Sequence, residues 1–115
     1  MAGVEVRALA RHLPMSPQKV RLVVNLVRGK PVQEALDMLR FLPHRAARPV
    51  AKAIKSAAAN AETTYQLDPD ALYIARITAN AGRMLKRYRP KARGRVGPIL
   101  SRSTHLEVVV KEKEA

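Results

Sequence analysis

The sequence predicts an α+β fold in which three helices pack on a small antiparallel sheet and a long basic β-hairpin protrudes. Alternating apolar and polar residues near both ends of the chain, and again from residue 72, are typical of strands with one buried face. Between the first of these segments and the one that begins at residue 72, apolar residues recur at every third or fourth position, which indicates helices. Helices packed on one small sheet are typical of the α+β class.

The length and composition predict a single domain. A chain of 115 residues, 47% of them hydrophobic, can form one core of its own. It contains one Phe, three Tyr and no Trp, so this core must consist of Val, Leu, Ile and Ala. We expect a globular body of residues 1–80 and 103–115 and an extended hairpin over about residues 81–102.

The first strand is predicted over residues 4–11, because apolar and charged side chains alternate there. The buried face would consist of Val4, Val6, Ala8 and Ala10.

The first helix is predicted to begin at Ser16 and Pro17. The Ser16 hydroxyl can accept a hydrogen bond from a free backbone N–H, and Pro17 fits the first helical position, where its missing N–H is not needed. An apolar stripe at helical spacing follows, formed by Val20, Val23, Val24 and Val27. Arg21, Asn25 and Arg28 fall on the opposite side, and Gly29 suits the C-terminal end.

Two more helices are predicted before residue 65. The second begins at Lys30-Pro31, turns Ala35, Leu36 and Leu39 inward, and ends at Pro43. The third covers roughly residues 45–64, where the apolar positions are Val50, Ala53, Ile54, Ala57, Ala58 and Ala61. Because Pro49 lies in its opening turns, this helix either begins near Arg48 or bends at Pro49.

The last part of the chain predicts two strands joined by a long basic connection. Residues 67–70 are typical of a turn, and residues 72–79 and 103–111 read as strands. A structureless loop of this length is unusual in a small domain, so we expect an extended hairpin. Arms of about a dozen residues would reach on the order of 40 Å.

The charge predicts a polyanionic partner. The net charge is +13 and the pI is about 11.1. The charge is also segregated: no acid lies between Glu5 and Glu34, where six Lys or Arg occur, or between Asp70 and Glu107, where nine occur.

The densest basic segment runs from residue 83 to residue 95, where seven of thirteen residues are Lys or Arg and none is acidic. Such side chains bind backbone phosphates and release condensed counterions. Few aromatic residues argue against a base-stacking sheet, so folded RNA that is contacted through phosphate and ribose fits better than sequence readout. Tyr88, the one aromatic residue among these charges, either stacks on a base or packs within the protein.

The residue types give no basis for catalysis, a metal or a cofactor. There is no Cys, and the three histidines, His12, His44 and His105, are far apart in sequence and lack carboxylates at metal-ligand spacing. We therefore expect no enzyme activity. The absence of Cys predicts an intracellular protein, and the absence of an apolar leader and of a long apolar run predicts one that does not enter a membrane.

Several segments together resemble one family. SPQKVRLVVNLVRGK (residues 16–30), SAAANAE (56–62), LKRYRPKARGR (85–95) and STHLEVVV (103–110) are similar to the large-subunit ribosomal protein called L twenty-two in bacteria. The most specific part is Gly94-Arg95, then nine residues, then His105. Asn80-Ala81 stand where the family pattern has an acidic pair and Arg83 where it has Pro, which makes the base of the hairpin less acidic. Lys91 stands where the family more often has Arg.

The resemblance implies a structural constituent of the large ribosomal subunit that binds its RNA and aids its assembly. The body would lie near the exit of the nascent-peptide tunnel, and the hairpin would line the tunnel beside the nascent peptide and neighbouring ribosomal proteins. It implies no homo-oligomer. The RNA-binding residues carried over by position are Ser16, Lys19 and Arg21 in the body and Arg83, Lys86, Arg87, Tyr88, Arg89, Lys91, Arg93 and Arg95 in the hairpin.

Two other functions are compatible with a basic chain. A DNA-binding regulator could use the helix pair around Gly29, and would then lose binding when Gln33 or Arg40 is changed. Glu34 and Asp37 make that second helix a poor recognition helix. A membrane-surface domain would need a cationic amphipathic helix, and the basic segment lacks the apolar stripe for it.

Overall fold

The computed structural model describes residues 4–82, 85–90 and 96–113, and within residues 85–90 and 96–101 it describes the backbone. The elements follow one another as β1 (Val6–Leu13), α1 (Pro17–Val27), α2 (Val32–Phe41), α3 (Ala47–Tyr65), a 3₁₀ turn (Pro69–Ala71), β2 (Leu72–Ala81), β3 (Leu85–Pro90), β4 (Val96–Ser101) and β5 (Thr104–Glu112). This order agrees with the predicted one.

The central sheet has three antiparallel strands in the order β1-β5-β2. β5 is therefore the middle strand, paired with β1 from Val110 to Thr104 and with β2 from Glu112 to Thr104. The register shifts once in each pair, between Ala10 and Leu13 in β1 and between Ile74 and Arg76 in β2. α3 packs against β1 and β5, α1 packs against β2, and α2 packs against α3. The predicted α+β class, with helices on a small antiparallel sheet, is confirmed.

One apolar core lies between the helices and the sheet. The predicted stripe of α1 is confirmed, since Val20, Val23, Val24 and Val27 are all fully buried. From the sheet, the alternating residues Leu106, Val108 and Val110 of β5 face it. Small residues of α3, among them Ala57 and Ala61, are fully buried, so the helix lies close to the strands.

The structure corrects the prediction at the start of one helix and decides it at the start of another. Ser16 is the N-cap residue of α1, but its hydroxyl makes no capping hydrogen bond, so the expected mechanism is wrong. Its backbone carbonyl instead accepts from the N–H groups of Lys19 and Val20, both at 3.2 Å. α3 begins at Ala47, which places Pro49 in the first turn, where helical N–H groups have no partner within the helix.

The end of α1 follows the prediction for Gly29. Its φ of +79° lies in the left-handed region, which suits a glycine just after a helix. Its N–H donates to the carbonyl of Ile74 at 3.1 Å, and the N–H of Ile74 donates to the carbonyl of Lys30 at 3.0 Å. The turn after α1 is therefore joined to the free edge of β2.

β3 and β4 form a separate two-stranded antiparallel sheet, paired from Leu85 with Ser101 to Pro90 with Val96. These strands fall in the segment for which the hairpin was predicted. Residues 83–84 and 91–95 lie outside the described residues. The division into a body and a protruding hairpin stays a prediction.

Candidate nucleic-acid interface

The first candidate site is a groove of about 650 Å³ between the loop that precedes α1 and the loop that precedes α3. We call it the basic groove; its lining is Pro14, Met15, Ser16, Lys19, Leu22, His44, Arg45, Ala46 and Arg102. It brings together Ser16 and Lys19, which the resemblance indicated, with Arg45 and Arg102, which sequence reasoning had not selected. Three cations from three separate parts of the chain thus surround one groove.

A buried hydrogen bond fixes one wall of the basic groove. Thr104, the first residue of β5, is fully buried, and its hydroxyl donates to the carbonyl of Met15 at 2.7 Å. Because a buried hydroxyl needs a partner, this bond ties the loop that carries Met15 and Ser16 to the central strand. With the Ser16 hydroxyl free of a capping role, the groove holds a small polar group beside its cations.

The lining of the basic groove is partly apolar. It includes Leu22, which is 58% exposed, as well as Met15 and Pro14. The groove can therefore contact the flat, apolar part of a nucleotide as well as its phosphate.

Arg21 occupies a different place from Ser16 and Lys19. Its Nε donates to the carbonyl of Ala79 at 3.0 Å, and the neighbouring Arg28 donates from Nη2 to the carbonyl of Ile77, also at 3.0 Å. Both carbonyls belong to β2, an edge strand, so one arginine of α1 and the arginine that follows α1 cover part of its unpaired edge. Arg21 therefore has a structural contact in the fold, and its predicted RNA contact stays a prediction.

A second groove, of about 690 Å³, lies between α2 and α3, and we call it the helical groove. Its lining includes the apolar residues Leu36, Leu42 and Ala51 and the cationic residues Arg40, Arg45, Arg48, Lys52 and Lys55. Arg48, Lys52 and Lys55 follow one another at spacings of four and three residues, which places them on one side of α3, and Arg45 lies just before this helix. That spacing can be read in the sequence beside the apolar stripe of the same helix.

His44 and Arg45 line both grooves, so the two grooves adjoin and form one basic surface. Within the part of the chain that the structure describes, the ion pairs are Arg7–Glu107, Lys30–Glu34, Arg76–Glu5 and Lys111–Glu5. None of these pairs involves a cation that lines either groove. The positive charge of this surface is therefore not neutralised by the described acids.

The remaining predicted RNA-binding residues lie in the segment of β3 and β4. Lys86, Arg87, Tyr88 and Arg89 belong to β3, where their backbones pair with β4. Arg83, Lys91, Arg93 and Arg95 lie outside the described residues. The roles of all eight stay predictions.

Neither metal binding nor membrane insertion finds support among the described residues. They contain no group of three or more His, Asp or Glu placed to hold a metal ion. None of the helices in the described ranges has the length and apolar character needed to span a membrane.

Comparison with known proteins points in one direction. The family model described as Ribosomal protein L22p/L17e matches residues 8–111. A protein of Herpetosiphon aurantiacus is 52% identical over 111 residues, covering 96% of this chain and 98% of its own length. One from Caldicellulosiruptor saccharolyticus is 54% identical over 107 residues, covering 93% and 88%. A third, from Dehalococcoides mccartyi, is 55% identical over 107 residues, covering 93% and 98%. All three are named large ribosomal subunit protein uL22.

Proposed function

The chain belongs to the ribosomal protein L22p/L17e family, and we propose that it binds large-subunit ribosomal RNA through the basic groove and through the basic segment of β3 and β4. The relatives are structural proteins of the large ribosomal subunit and not enzymes. As a ribosomal protein the chain works in the cytoplasm, with ribosomal RNA and other ribosomal proteins as its partners. The observation that carries the proposal is the group of unpaired cations in the basic groove.

The basic groove suits an RNA backbone for physical reasons. Lys19, Arg45 and Arg102 would each bind a phosphate, and each contact releases condensed counterions. The Ser16 hydroxyl can donate to a phosphate oxygen or exchange a hydrogen bond with a ribose 2′-OH. The groove thus offers contacts to backbone and sugar, which favour a folded RNA shape over a particular base sequence.

The basic strands β3 and β4 would supply the second set of contacts. The molecule measures 67 × 26 × 18 Å, and its radius of gyration is 17.4 Å, against about 13 Å for a compact chain of this length. Such elongation supports an arm that extends from the body. On this proposal the arm enters the RNA, lines the nascent-peptide tunnel, and by joining distant RNA segments aids assembly of the subunit.

The first experiment follows the protein in cell extract by gradient sedimentation at moderate and at high salt. We expect it to travel with the large subunit under both conditions, because contacts buried in RNA are screened less than contacts on a surface. A protein that stays at the top of the gradient, or that follows DNA, would contradict the proposal and favour the regulator.

A further inference from the structure

The central sheet ends where the chain continues into β3 and β4. The last pair of the central sheet at this end is Ala81 with Thr104, and the first pair of the next ladder is Leu85 with Ser101. We call the described end of the central sheet, from the pair of Ala81 and Thr104 to Gly82 and Ser103, the junction. The direction in which β3 and β4 leave the sheet depends on how this junction is held.

One side of the junction is a bulge at the end of β1. Ala10 pairs with Leu106 and Leu13 pairs with Thr104, so Arg11 and His12 both face His105. His12 has a φ of +57°, in the left-handed region that few residues other than glycine adopt. Its N–H donates to Nδ1 of His105 at 3.2 Å. The bulge leaves the His12 N–H without an acceptor in the strand ladder, and the imidazole of His105 accepts its hydrogen bond instead.

The two histidine rings also contact each other. Their centroids are 4.8 Å apart and their planes meet at 81°, an edge-to-face arrangement. This contact adds to the hydrogen bond in fixing the orientation of the His105 ring.

On the other side the ring of His105 meets Gly82. A Cβ at Gly82 would lie 3.1 Å from Nε2 and 3.2 Å from Cε1 of His105, and 2.6 Å from Oγ of Ser103. The N–H of Gly82 donates to the carbonyl of Ser103 at 2.9 Å. The ring therefore packs closely against Gly82, and the imidazole reaches from the bulge of β1 to the end of β2.

We infer that His105 is a positioning residue, which braces the junction so that β3 and β4 leave the sheet in the direction their RNA contacts require. The residue before it, Thr104, anchors the wall of the basic groove through Met15. The same two residues of β5 therefore fix the basic groove and the base of the arm, and so the distance between the two RNA-binding regions. This inference rests on the proposed function.

A double-mutant cycle tests the inference. His105→Leu keeps the volume and removes the acceptor, whereas His105→Asn keeps an acceptor near the position of Nδ1. Each is made in the full chain and in an arm-neutralised chain that carries Lys86→Gln, Arg87→Gln and Arg89→Gln. The measurement is the affinity for transcribed large-subunit ribosomal RNA, with the thermal midpoint of each protein as a check on folding.

In the full chain His105→Leu should weaken RNA binding about three- to tenfold, and His105→Asn should restore most of the loss. In the arm-neutralised chain His105→Leu should have a clearly smaller effect, because three of the arm contacts that it positions have been removed. An equal loss in both backgrounds would overturn the inference and leave the proposed function standing. If the arm-neutralised chain binds as tightly as the parent, the arm's proposed contacts fail, and the inference fails with them.

A second test of the inference uses the unsubstituted protein, so it does not depend on whether a variant folds. Since Nδ1 of His105 accepts from His12, a neutral ring must carry its proton on Nε2. Nitrogen-15 NMR in mildly alkaline buffer should show this tautomer for His105. The opposite tautomer would overturn the inference.

Discussion

The basic groove and the face of the sheet opposite the helices both carry cations, but only the sheet face neutralises them. On that face Glu5 lies 3.4 Å from both Arg76 and Lys111, and Glu107 lies 3.5 Å from Arg7. β1, β2 and β5 all contribute to these pairs. We call these five residues the sheet face.

The basic groove has about as many cations as the sheet face, but the surroundings of these cations differ. Lys19, Arg45 and Arg102 take part in none of the ion pairs found among the described residues, and they surround a concave surface. Identical residue types therefore serve two purposes. On the sheet face they hold strands together and keep the surface polar, and in the groove they leave a positive potential for a ligand.

The largest effect that this contrast predicts is on RNA affinity. Replacing Lys19, Arg45 and Arg102 together with Ala should weaken binding to large-subunit ribosomal RNA about 100-fold, at about 1 kcal/mol for each lost phosphate contact. The slope of log affinity against log salt should fall by roughly 2, since each contact contributes about 0.7–0.9. Titrations at several salt concentrations measure both quantities.

The matched control for the groove variant is the sheet face. Arg7, Arg76 and Lys111 replaced together with Ala remove the same formal charge, yet they should change affinity by less than about threefold. Equal losses in the two variants would mean that net charge governs binding, and the contrast between the two regions would be void.

The next effect concerns the stability of the groove wall. Thr104→Val removes the buried hydroxyl and leaves the carbonyl of Met15 without this donor, so we expect a loss of about 1–3 kcal/mol in the free energy of unfolding. The control is Thr78→Val on β2, a half-buried position, which should stay within about 0.5 kcal/mol of the parent. Urea denaturation measures both, and similar values for the two would show that the tether contributes little.

A smaller effect is expected in the helical groove. Arg48→Gln, Lys52→Gln and Lys55→Gln together keep good helix formers in α3 and remove three charges. We expect about a tenfold loss of RNA affinity, less than for the basic groove, because no residue that the resemblance assigns to RNA lies there. A loss as large as that of the basic-groove variant would make the helical groove an equal part of the interface.

The fold was predictable to the extent that it depends on local periodicity. The valines of α1 and the alternation in β5 are local patterns, and the structure confirms both. The start of α3 was not decided, because a proline is compatible with either a first turn or a bend, and only packing chooses between them.

The candidate site was less predictable, because its residues meet only in the folded chain. Arg45 and Arg102 are far apart in sequence and become neighbours of Lys19 through the packing of three separate segments. Glu5 pairs with Arg76 and Lys111 only because of the register of β1 and β2 on β5, which includes a shift in each strand pair. A count of acids along the chain could not show which cations they neutralise.

The smallest predicted effect tests whether ion pairing with acids is by itself what distinguishes the sheet face from the basic groove. Glu5→Gln and Glu107→Gln together would release Arg7, Arg76 and Lys111 from their acidic partners. Exposed ion pairs contribute about 0.2–1 kcal/mol each, so the free energy of unfolding should fall by about 1 kcal/mol at low salt and by less at high salt. Glu62→Gln, an exposed acid of α3 outside the ion pairs of the described residues, is the control and should change stability by less than about 0.5 kcal/mol.

The same double variant should raise the affinity for an unrelated RNA duplex about two- to threefold, because three released cations add to the positive potential. The affinity for large-subunit ribosomal RNA should change less, since specific binding also needs the concave wall that Thr104 and Met15 maintain. If the sheet face of the double variant bound large-subunit RNA as tightly as the basic groove does, the absence of acidic partners would by itself explain why the groove binds RNA. An unchanged affinity for both RNAs would instead assign the difference to shape, because a flat sheet face cannot place its cations around one backbone.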